Sequence, residues 1–381
     1  MKGRFVSLVI ALAIVVAIVD RAAADGALTN HIGYAKTHVN VGATSIDIAD
    51  YFSVYRFDEQ LFGAFDVLIF DNRTPLTAAN FRSYADAGAY TNTFVHRSVN
   101  TADAGIGIVQ SGGFAFTNEQ PGYYVPSGPP VVNEPFIANT QGTIALAKTA
   151  AGPDSGTNQW YFNTADNPAL DNPANNGGYT VFGEVLYDGM DKVGRDGQPG
   201  GIAGMPVWDT SFWHSAFTDM PWREGFVVDP YGDSPTEADM ARFRSISQVT
   251  GQTYEFISSS DPDMISGSFT GSALTLDVTD EAIGEYALTI RTTDSTGQWF
   301  DATLMVEIAL NAEMLAANFG MAGASKADGD LNGDGVVDTV DLTILGTYYY
   351  SPADAVVDVP EPVTCLLLGM GGLGTILHRR R

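Results

Sequence analysis

The most regular spacing of side chains able to do chemistry lies near the end of the chain, in residues 330–341. Oxygen-bearing side chains stand at positions 1, 3, 5, 9 and 12 of this segment, with Gly335 at position 6. Oxygen ligands at these positions, a turn at position 6 and a backbone carbonyl at position 7 are what a calcium-binding loop requires. The spacing therefore predicts a Ca²⁺ site with the ligands Asp330, Asn332, Asp334, Val336, Asp338 and Asp341.

Two interpretations of this loop remain open. An aspartate at position 12, in place of glutamate, resembles the variant found in dockerin repeats, although a dockerin has two loops and this chain has one. A helix is expected to follow over 341–348, which makes residues 311–350 a short helical unit similar to half of an EF-hand. The alternative is an acidic turn that binds no metal.

A second set of motifs lies between residues 94 and 191. The motifs are F-V-H-R at 94–97, I-V-Q-S-G-G-F at 108–114, N-T-Q-G-T-I-A-L-A at 139–147, G-T-N-Q-W-Y-F-N at 156–163, L-D at 170–171, G-Y-T-V-F-G at 178–183 and G-M-D at 189–191. In this order and spacing they resemble the cyclophilins, which are peptidyl-prolyl cis-trans isomerases. The likeness is greatest to the bacterial members, which have a tyrosine rather than a histidine before the V-F-G strand.

The resemblance implies a mainly β fold over residues 40–235, namely an eight-stranded antiparallel barrel capped by two helices. The local pattern supports the first helix. Thr74 is placed to be its N-cap, Pro75 suits its first position and Gly88 suits its end.

The chemistry that the resemblance implies needs no cofactor. An X–Pro bond resists rotation by ~18–20 kcal/mol because of amide resonance. A donor aimed at the imide nitrogen lowers this barrier, because that nitrogen regains its lone pair only as the bond twists. By resemblance, Arg97 is the donor and Gln110 holds the substrate's backbone carbonyl. The implied substrate pocket consists of Ile108, Ala147, Tyr161, Leu170 and Tyr179, with Tyr179 as its cap.

The sequence also departs from the family pattern. Twelve residues separate Arg97 from Gln110, which is longer than the usual connection, and Gly107 stands where the family has a pocket phenylalanine. Lys148 replaces an asparagine common in the backbone-binding strand, and Ala169 replaces a residue that is often aromatic. The missing phenylalanine is expected to leave one side of the pocket open, which weakens substrate binding.

Two functions therefore remain open. The first is an exported peptidyl-prolyl isomerase that assists the folding of exported or surface proteins. The second is a weak or inactive cyclophilin-like module that binds proline-containing segments within a surface-displayed protein. Retention of Arg97 and Gln110 favours the first, and Gly107 favours the second.

Composition excludes several other classes of protein. With 381 residues, 45% of them hydrophobic, the chain has room for two or three packed domains and is not disordered throughout. A formal net charge of −26 leaves no basic footprint for nucleic acid. One cysteine and five scattered histidines provide neither a disulfide nor a Cys or His metal cluster. His96 is expected to pack within the barrel rather than to take part in chemistry.

Both ends of the chain resemble targeting segments. Residues 1–24 combine early basic residues, an apolar run and a small-residue site, which predicts a secretory signal peptide, with a short membrane anchor as the alternative. Residues 359–381 begin V-P-E-P, continue as a short apolar segment and end in three arginines, which resembles a PEP-CTERM sorting tail. The ends predict export to the periplasm or cell surface, with membrane contact through the C-terminal apolar segment before processing.

The pattern changes again after residue 253. Apolar side chains then alternate strictly, with turns at 270–271 and 295–297. Alternation of this kind is typical of half-buried strands. It predicts a small β-sandwich over 240–310, similar in pattern to Ig- or cadherin-like modules.

Overall fold

The computed structural model describes residues 30–38, 44–117, 120–227, 235–279, 282, 284–309, 312–325 and 328–349. The segments interpreted as a signal peptide (1–24) and as a sorting tail (359–381) lie outside these residues. Within the described ranges, no helix combines the length and the apolar character that crossing a membrane requires.

The described chain is mainly β-structure. In chain order the strands are β1 (His31–His38), β2 (Thr44–Asp47), β3 (Ser53–Glu59), β4 (Phe65–Ile69), β5 (Thr93–Phe94), β6 (Arg97–Val99), β7 (Ile108–Ser111), β8 (Phe114–Thr117), β9 (Gln120–Tyr124), β10 (Thr143–Leu146), β11 (Trp160–Asn163), β12 (Val181–Val185), β13 (Val207–Trp208), β14 (Met220–Pro221), β15 (Arg242–Gln248), β16 (Thr253–Ser259), β17 (Ile265–Thr270), β18 (Ala273–Val278), β19 (Gly284–Thr293) and β20 (Trp299–Ala309). The α-helices are α1 (Pro75–Asp86), α2 (Thr101–Ala104), α3 (Pro168–Asp171), α4 (Gly189–Val193), α5 (Ala312–Ala317) and α6 (Thr339–Tyr349), and the 3-10 helices are Ile48–Asp50, Ile202–Gly204 and Glu237–Asp239.

The largest sheet contains eleven of these strands. Their order across the sheet is β6-β7-β11-β10-β12-β4-β3-β15-β5-β8-β9, and neighbouring strands are antiparallel. Strands β5 and β6 are separated in the chain only by Val95 and His96, yet β6 ends the order and β5 lies beyond β15. The main chain bridges the gap, since Val95 donates to the carbonyl of Ala241 and His96 to that of Gln110. The sheet therefore curls until segment 93–99 borders both β7 and β15.

Aromatic side chains fill the space inside the curled sheet. The ring of Phe57 lies 5.4 Å from Trp160, 5.5 Å from Phe162 and 5.7 Å from Phe243, and all four side chains are fully buried. Burying each such side chain contributes about 1.5–3 kcal/mol. This core fixes the strands that carry the predicted site on the opposite face.

Helix α1 covers one opening of this core. Pro75 occupies its first position, as predicted, and Phe81 packs 5.3 Å from the ring of Phe182. Thr74 is the N-cap residue, as predicted, but its side chain makes no capping hydrogen bond. The buried carboxylate of Glu134, from a distant loop, instead accepts hydrogen bonds from the backbone N–H groups of Leu76 and Thr77. Its negative charge also suits the positive end of the helix dipole.

A second helix, α4, packs Met190 and Val193 into the same core as α1, but it is short. Apart from α1, the α-helices between residues 44 and 248 have only four or five residues each. Residues 195–227, which follow α4, form loops, the 3-10 helix Ile202–Gly204 and the two-stranded β13–β14 sheet. The many glycine and proline residues of this segment oppose a long helix.

Strands β1, β2 and β16 to β20 form two smaller sheets. One has the order β1-β20-β19-β16 and the other the order β17-β18-β2. Alternate apolar residues of both sheets, including Leu274, Leu288 and Leu304, belong to one buried cluster. The rings of Tyr254 and Phe269, which come from different sheets, lie 5.7 Å apart. The alternation seen after residue 253 thus does correspond to strands with one buried face.

The predicted domain limits at 40 and 240 are wrong for two strands, β2 and β15, and they left β1 outside every predicted domain. β15 lies within the stretch 240–310 assigned to the sandwich, but it pairs with β3 and β5 in the large sheet. β1 and β2 precede the large sheet in sequence, yet β1 pairs with β20 and β2 with β18. Alternation predicts a strand but not its partner, because pairing depends on which edges the fold leaves available.

Candidate active site

The two residues predicted to act on the substrate lie opposite each other on neighbouring strands. Arg97 of β6 pairs with Gln110 of β7, and Gln110 pairs in turn with Tyr161 of β11. Directly opposed residues of antiparallel strands project to the same face of a sheet. Arg97, Gln110 and Tyr161 therefore form one row on the outer face, away from the aromatic core.

The predicted pocket residues come together beside this row. Ile108, Tyr161 and Leu170 are buried in one apolar cluster, and Ala147 and Tyr179 are partly buried against it. The rings of Tyr161 and Tyr179 lie 6.1 Å apart, edge to face. The backbone N–H of Tyr179 donates to the carbonyl of Leu170 at 2.9 Å. The structure thus places an apolar wall next to the row that carries Arg97.

A buried asparagine supports the pocket, and sequence reasoning did not identify it. The hydroxyl of Tyr161 donates to Oδ1 of Asn139 at 2.8 Å. Nδ2 of Asn139 donates to Oδ1 of Asp171 and to the carbonyl of Tyr179. Burial raises the pKa of Tyr161 well above its usual range, so the hydroxyl stays protonated as a donor. Asn139 belongs to the N-T-Q-G-T motif, which was the available signal.

A second glutamine orients Gln110. Nε2 of Gln110 donates to Oε1 of Gln159 at 2.9 Å. A side-chain amide has two N–H donors and an acceptor oxygen, so this bond fixes the amide plane without exhausting its donors. The neighbouring Gln159 thus fixes the orientation of the Gln110 amide.

His96 lies behind the site rather than in it. Its ring is buried and stands 4.9 Å from Phe114, edge to face. Burial, together with the adjacent positive charge of Arg97, lowers the pKa of His96 to about 3. His96 is therefore neutral at physiological pH and packs within the fold, as the sequence predicted.

Lys148 is bound within the protein. Its Nζ donates to the backbone carbonyls of Asn176 and Gly178, at 2.8 Å for Asn176, and lies 4.5 Å from the centre of the Tyr179 ring. Burial lowers the pKa of Lys148 from its usual value. The cation at position 148 thus holds the loop that carries Tyr179.

The space that a side chain at Gly107 would enter is not open. A Cβ atom at this position would lie 2.9 Å from Oγ1 of Thr164, 3.1 Å from Cβ of Ala165 and 3.2 Å from Cβ of Asp196. Asn167 binds both the N–H and the carbonyl of Gly107. The space beside Gly107 is therefore occupied by segment 164–167 and by Asp196, a compensation that the sequence pattern could not reveal.

Gly107→Phe is accordingly expected to destabilise the protein rather than to improve the site. Overpacking of this kind costs about 1–3 kcal/mol in the free energy of unfolding. Urea unfolding of the full chain measures the change, and Ala104→Phe is the control because it adds the same ring at an exposed position nearby. A Gly107→Phe variant with unchanged stability and higher isomerase activity would show that the pocket is open after all.

The structure does not support the predicted calcium site. Among the described residues, no group of three or more His, Cys, Asp or Glu side chains is arranged to hold a metal ion. Asp330 accepts from the N–H groups of Gly333 and Gly335, and Asp341 from those of Leu331 and Asp338. Burial opposes the charge on Asp341, but these N–H donors outweigh burial and lower its pKa. The carboxylates thus stabilise the loop that precedes α6.

Comparison with known proteins places this site in a family. The family model of cyclophilin type peptidyl-prolyl cis-trans isomerase/CLD matches residues 55–195. A peptidyl-prolyl cis-trans isomerase of Acinetobacter baylyi is 35% identical over 135 residues, which cover 35% of this chain and 66% of that protein.

Two further bacterial relatives cover the same region. Peptidyl-prolyl cis-trans isomerase A of Dickeya dadantii is 35% identical over 138 residues, covering 36% of this chain and 67% of the relative. Peptidyl-prolyl cis-trans isomerase B of Escherichia coli is 38% identical over 137 residues, covering 34% of this chain and 77% of the relative. The chain therefore belongs to the cyclophilin-type peptidyl-prolyl cis-trans isomerases, and the class of enzyme predicted from its motifs is confirmed.

Proposed function

We propose that this chain isomerises X–Pro bonds in exported proteins, with Arg97 as the catalytic donor and Gln110 as the substrate-binding amide. The observation that carries the proposal is the row formed by Arg97, Gln110 and Tyr161 across three neighbouring strands. The row brings a permanent cation, an amide held by Gln159 and an apolar wall onto one face. These are the groups that rotation about an X–Pro bond requires.

In the proposed mechanism the proline ring of the substrate packs against Ile108, Tyr161 and Leu170. Gln110 holds the neighbouring backbone carbonyl and fixes the chain on one side of the bond. Arg97 then donates to the imide nitrogen as the bond twists, which stabilises the transition state more than either planar isomer. No step needs a nucleophile, a cofactor or a change of protonation.

We further propose that the strand segments flanking this site form the eight-stranded barrel of the family. Counting 93–99 as one strand, the closed circuit runs through β7, β11, β10, β12, β4, β3 and β15. The sequence of the two ends supports an exported location, with clients among exported or surface proteins. The proposed membrane contact through the C-terminal apolar segment has the same basis.

A second candidate function is proline-segment binding without turnover. The internal use of Lys148, which ties down the loop of Tyr179, favours this alternative because a fixed cap can retain a bound segment. In that case the apolar wall binds proline, but the donor does not follow the twisting bond.

NMR exchange spectroscopy on an Ala-Pro-containing peptide distinguishes these two functions. Catalytic amounts of the full chain are expected to accelerate cis–trans exchange in proportion to enzyme concentration. A chain truncated at residue 235 is unsuitable, because it lacks β15 of the large sheet. Peptide signals that broaden or shift on binding, with an exchange rate equal to that of buffer, would reject isomerisation and leave the binding module.

A further inference from the structure

A segment outside the family match reaches the catalytic arginine. The family model ends at residue 195, and in the segment 196–227 that follows, the 3-10 helix Ile202–Gly204 and β14 contact β6. The backbone N–H of Ser98 donates to the carbonyl of Asp219 at 2.7 Å. The carboxylate of Asp219 lies 3.8 Å from Nε of Arg97. Asp219 therefore contacts the strand of Arg97 through its backbone and Arg97 itself through its side chain.

The position of Asp219 is set by buried neighbours. Phe217 precedes it by two residues and Met220 follows it, and both are fully buried with Phe94 and Phe114 in a separate apolar cluster. The carbonyl of Phe217 accepts a hydrogen bond from the N–H of Thr210 at 2.7 Å. The backbone at Asp219 is thus anchored on both sides, while its carboxylate remains partly exposed.

We propose that Asp219 is a positioning residue for Arg97, an inference that rests on the proposed isomerase function. The side chains of Arg97 and Asp219 are 36% and 40% exposed, so Arg97 would otherwise sample several rotamers. A carboxylate near Nε attracts the Nε edge of the guanidinium and leaves the two terminal nitrogens free to donate to the substrate. Because exposed ion pairs add little to stability, the contact acts on orientation rather than on folding.

The test compares Asp219→Ala, Asp219→Asn and Asp219→Glu in the full chain. Misplacing a catalytic group costs rate, so Asp219→Ala and Asp219→Asn are expected to lower kcat about fivefold with KM changed less than about twofold. Asp219→Glu is expected to recover at least half of the lost kcat. Asp209→Ala is the matched control, because it removes an exposed carboxylate of the same segment that accepts a hydrogen bond from the N–H of Ser211.

A second readout does not depend on activity. In the wild-type protein the ¹H–¹⁵N signal of Arg97 Nε is expected to be distinct, and it should move toward the position of free arginine in Asp219→Asn but not in Asp209→Ala. An unchanged Nε signal, or a kcat that is equal or higher in Asp219→Ala, would overturn the inference. An inactive wild-type protein with the expected Nε shift would reject the proposed function but retain the Arg97–Asp219 contact.

Discussion

Replacing Arg97 by alanine is expected to lower kcat/KM for X–Pro isomerisation by at least ~10-fold, which corresponds to about 1.4 kcal/mol of transition-state stabilisation. Arg97 stands opposite Gln110 on neighbouring strands, and in the proposed mechanism its guanidinium donates to the twisting imide nitrogen. The planar, permanently charged guanidinium offers several donors in fixed directions. The Arg97→Ala substitution leaves the apolar side chains in place but removes the hydrogen bond to the imide nitrogen, which forms only in the transition state.

Two variants sharpen this measurement by NMR exchange. Arg97→Lys retains the charge but not the planar donors, so most of the loss should persist if direction matters more than charge. Arg244→Ala removes an exposed arginine that is paired with Asp58, and it should leave the rate unchanged. Equal rates for wild type and Arg97→Ala, both above buffer, would exclude Arg97 as the donor.

The second large effect concerns pH and His96. Its pKa is about 3 in the folded protein, against about 6.5 for an unperturbed histidine, because burial and the charge of Arg97 disfavour the imidazolium. Between these values the unfolded chain binds a proton that the native protein does not. The neutral His96 therefore makes a contribution to the free energy of unfolding that is fully present above pH ~6.5. This contribution is lost as the pH falls toward 3, at no more than about 1.4 kcal/mol per pH unit.

The measurement is urea unfolding of wild type and His96→Phe at a series of pH values from 7 to 4. Phenylalanine suits the packing against Phe114 and cannot be protonated. The carboxylates titrate in both proteins, so the difference between the two curves isolates His96. The wild type should lose stability more steeply on acidification, and parallel curves would show that His96 is not held neutral by the fold.

Much of the site could be predicted because its residues lie on strands that pair with strands close to them in sequence. Arg97 and Gln110 belong to consecutive strands, so the register of one hairpin brings them together. Alternation along β11 separates Tyr161, on the outer face, from Trp160 and Phe162 in the core. The order of motifs around these strands was sufficient to indicate the family.

The contacts that complete the site come from segments distant in sequence. Glu134 caps α1 from another loop, Thr164 fills the space beside Gly107, and Asp219 approaches Arg97 from an irregular segment. No periodicity or motif spacing in the sequence indicates any of these contacts. Each depends on how loops pack once the sheet has curled.

The sequence by itself determined the family, the strands that carry Arg97 and Gln110, and the apolar character of the pocket, because short-range patterns encode strands and their buried faces. Only the tertiary structure decided that β15 joins the large sheet and that β1 pairs with β20. It also decided that Asp330 and Asp341 bind backbone N–H groups of their own loop. The physical reason is that partner choice among distant segments depends on which edges, cavities and donors remain available after the local elements have formed.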